Sequence, residues 1–79
     1  MNAVYIRDNF IKLGQALKLA GAVESGVDAK CVIQEGLVLV NNEIEVQRGK
    51  KLVPGDIISF DGEEYIIMPE KDILAVAVK

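Results

Sequence analysis

Arg48, Lys50 and Lys51 surround Gly49 in the run Gln47-Arg48-Gly49-Lys50-Lys51, the basic cluster of the sequence. Cations crowded around a glycine are chemistry for holding anions such as phosphates. The same run also reads as a solvated loop that keeps a sheet edge from pairing with another chain. Lys12, Lys18 and Lys30 are single cations on stretches with helical periodicity. Lys30 and Gln34 are four apart, so they share one exposed helix face. Ser25 stands where a helix cap is wanted, and a helix start can offer its amides to an anion. Asp28 lies in that same first turn and repels one.

Catalysis finds little in this inventory. There is no histidine, so the commonest general base and metal ligand is missing. Cys31 has no base nearby in sequence to activate it and reads as structural or incidental. Glu63 and Glu64 are adjacent in an expected strand, so their side chains point to opposite faces and cannot share a site. No phosphate loop or dinucleotide fingerprint occurs, and neither cofactor nor metal is implied.

The elements that must position the cations are legible. Ser25 with Asp28 three residues later reads as a capping box ahead of the apolar stripe Ala29, Val32, Ile33, and Gly36 supplies a left-handed stop. Leu37 to Val46 then reads as a hairpin whose Asn41-Asn42 turn needs positive φ. Leu37 and Leu39 alternate with Val38 and Val40, so both faces of that strand are apolar. Upstream, Leu13, Ala16, Leu17 and Ala20 mark a first helix that Asp8 or Asn9 could cap and Gly21 ends. Lys18 points away from that stripe, and the short link through Ala22-Val23-Glu24 makes the two helices neighbours. Ala3 to Ile6 reads as a strand that could lie beside a later one. Pro54-Gly55 suits a type II turn, and Ile57–Phe60 with Glu63–Met68 reads as a hairpin across Asp61-Gly62, interrupted by Pro69.

The order Ser-x-x-x-Ala, an apolar pair, then Gly-x-Val-x-Val-Asn resembles the RNA-binding domain of small-subunit ribosomal protein S-four, the alpha-L RNA-binding motif. The likeness is strongest to its short free-standing bacterial members and spans residues 12–60, leaving 69–79 as an extension, an added edge strand or an ordered tail. It implies a first helix that starts nearer Lys12-Leu13 than Asp8 or Asn9, and an RNA-facing surface made by the helices and the loop beside the sheet. On that surface Lys12 holds the place of a first-helix arginine, and Ser25 and Lys30 hold second-helix polar and basic positions. It would set Gln34 where a basic or amide residue is common, and Asn41 at the hairpin asparagine, which reads equally well as a turn former. The chain departs from the pattern at Gly14, Gly26, Leu37, Leu39 and Asn42, and glycine or leucine at Gly26, Leu37 and Leu39 removes possible phosphate contacts.

Seventy-nine residues make one small domain, 1–79, with a single thin core. The net charge of −3 argues mildly against a nucleic-acid partner, but the acidic excess is local. Residues 1–53 hold seven Lys/Arg against six Asp/Glu, whereas residues 54–79 hold two against six. Screening acts over about 8 Å at physiological salt, so a basic patch works independently of that end. A single cysteine, no signal-like leader and no apolar run near the roughly 20 residues of a membrane helix fit a cytoplasmic protein. A small core can absorb Tyr5, Phe10, Phe60 and Tyr65, the whole aromatic inventory.

These readings converge on an α+β domain, two packed helices against a small, mainly antiparallel sheet. The function the resemblance implies is non-catalytic binding of structured RNA such as ribosomal RNA, with ribosome association. Lys12, Lys18, Lys30, Arg48, Lys50 and Lys51 would hold phosphates, and Ser25, Gln34 and Asn41 would add polar contacts. The rival is a protein-interaction module using the apolar 37–40 strand or the C-terminal segment.

Overall fold

A computed structural model of the chain describes residues 1–70. Its elements in order are β1 (Asn2–Ile6), β2 (Ile11–Lys12), α1 (Leu13–Leu19), α2 (Gly26–Gln34), β3 (Val38–Val40), β4 (Glu43–Ile44), β5 (Lys51–Leu52), β6 (Ile57–Phe60) and β7 (Glu63–Pro69). Five strands form one sheet in the order β1-β7-β6-β3-β4, and β2 pairs with β5 separately. All neighbours are antiparallel except β1 and β7, which run parallel from Asn2 opposite Tyr65 to Ile6 opposite Pro69. The expected α+β architecture is therefore present, and the N-terminal strand does lie beside a later one. The segment 71–79, with its expected Ile73–Val78 strand, lies outside the described residues.

The core forms where the helix stripes meet one face of the sheet. Leu13, Ala16 and Leu17 of α1 and Ala29 and Ile33 of α2 are buried with Val4, Ile6, Val38, Val40, Leu52, Ile58, Tyr65 and Ile67. No polar side chain is buried among the described residues, so the core owes its stability to apolar burial rather than to internal polar networks.

Both helices end in the same way for the same reason. Past the last turn of α1, Gly21 takes φ 75°, its N–H donates to the Lys18 carbonyl, and the Ala22 N–H reaches back to Leu17. Gly36, at φ 76°, repeats the pattern after α2, with Leu37 N–H donating to the Val32 carbonyl. Both are Schellman closures, which satisfy carbonyls that the helix itself leaves unpaired.

The helix starts differ. Ser25 Oγ accepts from the Asp28 N–H at 3.1 Å, as its sequence position required. The reciprocal bond of a full capping box is missing among the described residues, because an aspartate is one methylene shorter than the glutamate or glutamine that closes it. Ser25→Ala is expected to cost about 0.5–2 kcal/mol. Combined with Asp28→Ala, the two losses should add to within about 0.5 kcal/mol by chemical denaturation; strong coupling would mean that the carboxylate does reach back in solution.

Neither Asp8 nor Asn9 caps α1. The helix begins at Leu13, with Lys12 in the cap position and no side-chain cap. Its first amides are taken instead by a distant segment: Leu13 N–H donates to the Lys50 carbonyl at 2.8 Å and Gly14 N–H to the Arg48 carbonyl at 3.0 Å. Orphan donors at a helix start need partners, and here a tertiary contact supplies what a local cap would.

Candidate nucleic-acid interface

Those two hydrogen bonds explain how the basic run is held. The carbonyls of Arg48 and Lys50 face the start of α1, leaving the side chains of Arg48, Lys50 and Lys51 exposed. Gly14 sits where the basic run passes: a Cβ there would lie 3.6 Å from both Arg48 Cβ and the Arg48 carbonyl, ordinary contact distance. Lys51 belongs to β5 rather than to the loop, and it stands directly opposite Lys12 of β2. Like charges in that cross-strand position are destabilising. The ammonium of Lys51 also lies 4.8 Å from the centre of the Phe10 ring, a cation–π contact that fixes its direction.

The segment Arg48–Gly49, α1 and the beginning of α2 enclose a groove of about 350 Å³. Lys12, Lys18 and Arg48 line it with Gln15, Ala29 and the glycines Gly14, Gly26 and Gly49. The lining thus carries three formal positive charges and no carboxylate, in a chain whose net charge is −3. Among the described residues the ion pair present is Arg7–Glu70 at 3.3 Å, so none of the six assigned cations is neutralised there. Gly26 also brings the unobstructed start of α2 to the groove; beyond its chain neighbours and its own helix backbone, no atom lies within 4 Å of where its Cβ would be.

The other assigned residues fall into distinct places. Lys30 and Gln34 are exposed and follow Gly26 at successive turns along α2, so they extend the groove's rim along the helix. Ser25 is adjacent to Gly26 and spends its hydroxyl on the cap. Lys50 and Lys51 flank the groove without lining it. Lys12 stands at the cap of α1, not within the helix.

Asn41 is occupied elsewhere. Its Oδ1 accepts from the Ile57 N–H at 3.0 Å, and its Nδ2 donates to Asp56 Oδ1 at 3.0 Å. Asp56 Oδ2 in turn accepts from the Val53 N–H at 2.8 Å, so one amide ties the end of β3 to the Pro54-Gly55 turn. Asn41 and Asn42 both have positive φ, 51° and 71°, as the hairpin turn demands. The neighbours should therefore respond oppositely. Asn42→Gly is expected to stabilise by up to about 1 kcal/mol because glycine bears no left-handed penalty. Asn41→Gly forfeits two hydrogen bonds and should cost about 1–2 kcal/mol despite the same relief. Denaturation midpoints shifting the same way for both would refute this division.

Sequence reasoning missed Gln15, which lines the groove, and Gly26, which counted only as an absent arginine. The helical period could have placed Gln15 beside Lys18, three residues on along the same face. Nothing local could have shown Gly26 as part of a groove wall. The aromatic expectation also needs correcting: Tyr65 is buried and Phe60 packs partly on the core, but Tyr5 and Phe10 remain 44% and 40% exposed. Both line a cavity beside α1 instead of entering the core.

Residues 4–68 match the family model of the S4 domain. The chain belongs to the S4 domain family. A probable ribosome maturation protein, RlbA, of Bacillus subtilis is 44% identical over 61 residues, 77% of this chain and 86% of that one. The putative RNA-binding protein YbcJ of Escherichia coli is 42% identical over 58 residues, 73% of this chain and 83% of that one. The solution structure of YbcJ, described as revealing an alfaL motif involved in RNA-binding, superposes with a TM-score of 0.67 at 33% identity. It covers 86% of this chain and 87% of its own. In this S4 domain, then, two helices packed on a mainly antiparallel sheet are the family architecture, and the groove sits where the helices meet the β2–β5 ribbon.

Proposed function

We propose that this S4 domain is a non-catalytic RNA-binding module of the cytoplasm, taking structured RNA, ribosomal RNA foremost, on the face formed by α1, α2 and residues 47–51. The observation that carries the reading is the groove lined by Lys12, Lys18 and Arg48 with no carboxylate in its walls. Phosphates are the anions that such a face meets in repeating array, and the exposed Lys30, Lys50 and Lys51 continue the positive surface on either side. The like-charged pair Lys12–Lys51 fits the same reading, since a phosphate between two lysines turns their repulsion into shared attraction. Ribosome association is part of the proposal and is supported by the name of the Bacillus relative. No helix among the described residues is long and apolar enough to cross a membrane.

Binding of the chain to hairpin fragments of ribosomal RNA across a salt series tests this. Three to five phosphate contacts give a slope of log affinity against log salt of roughly −2 to −4.5, at about 0.7–0.9 per contact. Lys50→Glu with Lys51→Glu should make the slope shallower and weaken binding to all RNAs alike, because phosphate contacts carry little sequence information. Affinity equal to the parent's throughout would reduce residues 47–51 to a solvated edge.

A second reading has one observation in its favour. Leu37, Ile44 and Val46 are 49%, 64% and 54% exposed beside the short edge strand β4, and Ile44 pairs with Leu39. Such a patch suits a protein partner. Val38 and Val40 are buried, so the 37–40 strand itself offers less than its composition promised. A concentration-dependent dimer in sedimentation, indifferent to RNA, would favour this reading over the first.

A further inference from the structure

A second cavity of about 630 Å³ opens beside the groove, and the two share a wall. Gln15 and Lys18 line both, so the α1 ridge that carries them separates a phosphate-binding groove from a chamber of different character. That chamber has Phe10, Tyr5 and Leu19 as apolar walls, each at least 40% exposed. Lys51 holds one face of the Phe10 ring but does not line the cavity, so the ring presents its remaining surface inward. At the other end stand Asp8 and the Arg7–Glu70 pair, whose carboxylates disfavour a phosphate there and suit the amino groups of a base.

We infer that this aromatic cavity receives an unpaired nucleobase of the RNA whose phosphates lie in the adjoining groove. The inference deepens the RNA-binding reading and rests on it: the ligand becomes a helix bearing a bulged or terminal nucleotide rather than a uniform duplex. Continuity is the argument for the occupant. A chain whose phosphates contact Lys18 has its base within reach of the other side of the same ridge, and unstacked bases are recognised by aromatic faces. The volume falls in the range of about 300–1,000 Å³ typical of small-ligand clefts.

The test compares two hairpin RNAs with one stem, one fully paired and one carrying a single bulged fluorescent adenine analogue whose emission stacking quenches. The parent chain should bind the bulged RNA about 5- to 100-fold more tightly, the range that base–aromatic stacking supplies, and should quench the analogue. Phe10→Leu keeps an apolar side chain but removes the π-face, so the affinity ratio should collapse towards one and the quenching should disappear. Leu19→Glu, at an exposed helical position, should also lower the ratio without touching the core. Equal binding of the two RNAs by the parent, or a ratio that both variants preserve, overturns the base site and leaves the groove intact. Failure of the parent to bind either RNA in a salt-dependent way overturns the groove and the base site together.

Discussion

Reversing the charges of Lys18 and Arg48 together is expected to lower affinity for structured RNA about 100-fold, counting about 1.5 kcal/mol for each charge-assisted hydrogen bond removed. These two residues come from opposite walls of the groove, one from α1 and one from the segment that α1 holds by its amides. Glutamates in their place leave Lys12 as the groove's one cation and set two carboxylates against the phosphates. The salt slope should fall by about 1.4–1.8, the share of two phosphates. Both side chains are exposed, so thermal stability should move little, and circular dichroism should be unchanged. Binding within threefold of the parent across the salt series would remove the groove from the interface. Weaker binding with an unchanged slope would point to an altered fold rather than to fewer phosphates held.

The largest expected effect on stability belongs to Leu52→Ala. Leu52 is fully buried, and it lies in β5 immediately after the basic run. Truncating a buried leucine costs about 2–5 kcal/mol, from forfeited transfer energy and the cavity left behind. A small domain has about 5–15 kcal/mol in hand, so the midpoint of thermal unfolding should drop by about 10 °C or more. The site makes this more than a core truncation. Leu52 pairs with Ile11 across the β2–β5 ribbon, and the adjoining carbonyls of Arg48 and Lys50 satisfy the start of α1. Loosening that anchor should free the basic run and so weaken RNA binding even at temperatures where the variant stays folded. Hydrogen exchange at the Leu13 and Gly14 amides reports the loosening directly. Protection there equal to the parent's, in a folded Leu52→Ala chain, would show that the helix start does not depend on this docking.

Gly21, Gly36, Gly55, Gly62 and the Asn41-Asn42 pair were readable from the chain alone, because the need for positive φ is a property of one or two residues and their own backbone. The helix stripes were readable for a related reason: periodicity is local, and the buried positions Leu13, Ala16, Leu17, Ala29 and Ile33 repeat with it. The Ser25 cap and the final hairpin followed in the same way. Residue types therefore determined the elements, their stops and the candidate cations. Tertiary structure decided what those cations face. The start of α1 at Leu13 followed from the family resemblance and not from a local cap, because its partners are carbonyls roughly thirty-five residues away, which no local signal encodes. Asn41 was readable as a turn former, but its side-chain partners were not, because only the fold sets Asp56 and Ile57 beside it. Gly26, a mere absence in the sequence, became part of a groove wall once α2 packed against α1. An acidic chain can present a positive groove only if its few cations converge, and convergence is a matter of packing across distant segments, which composition and spacing do not contain.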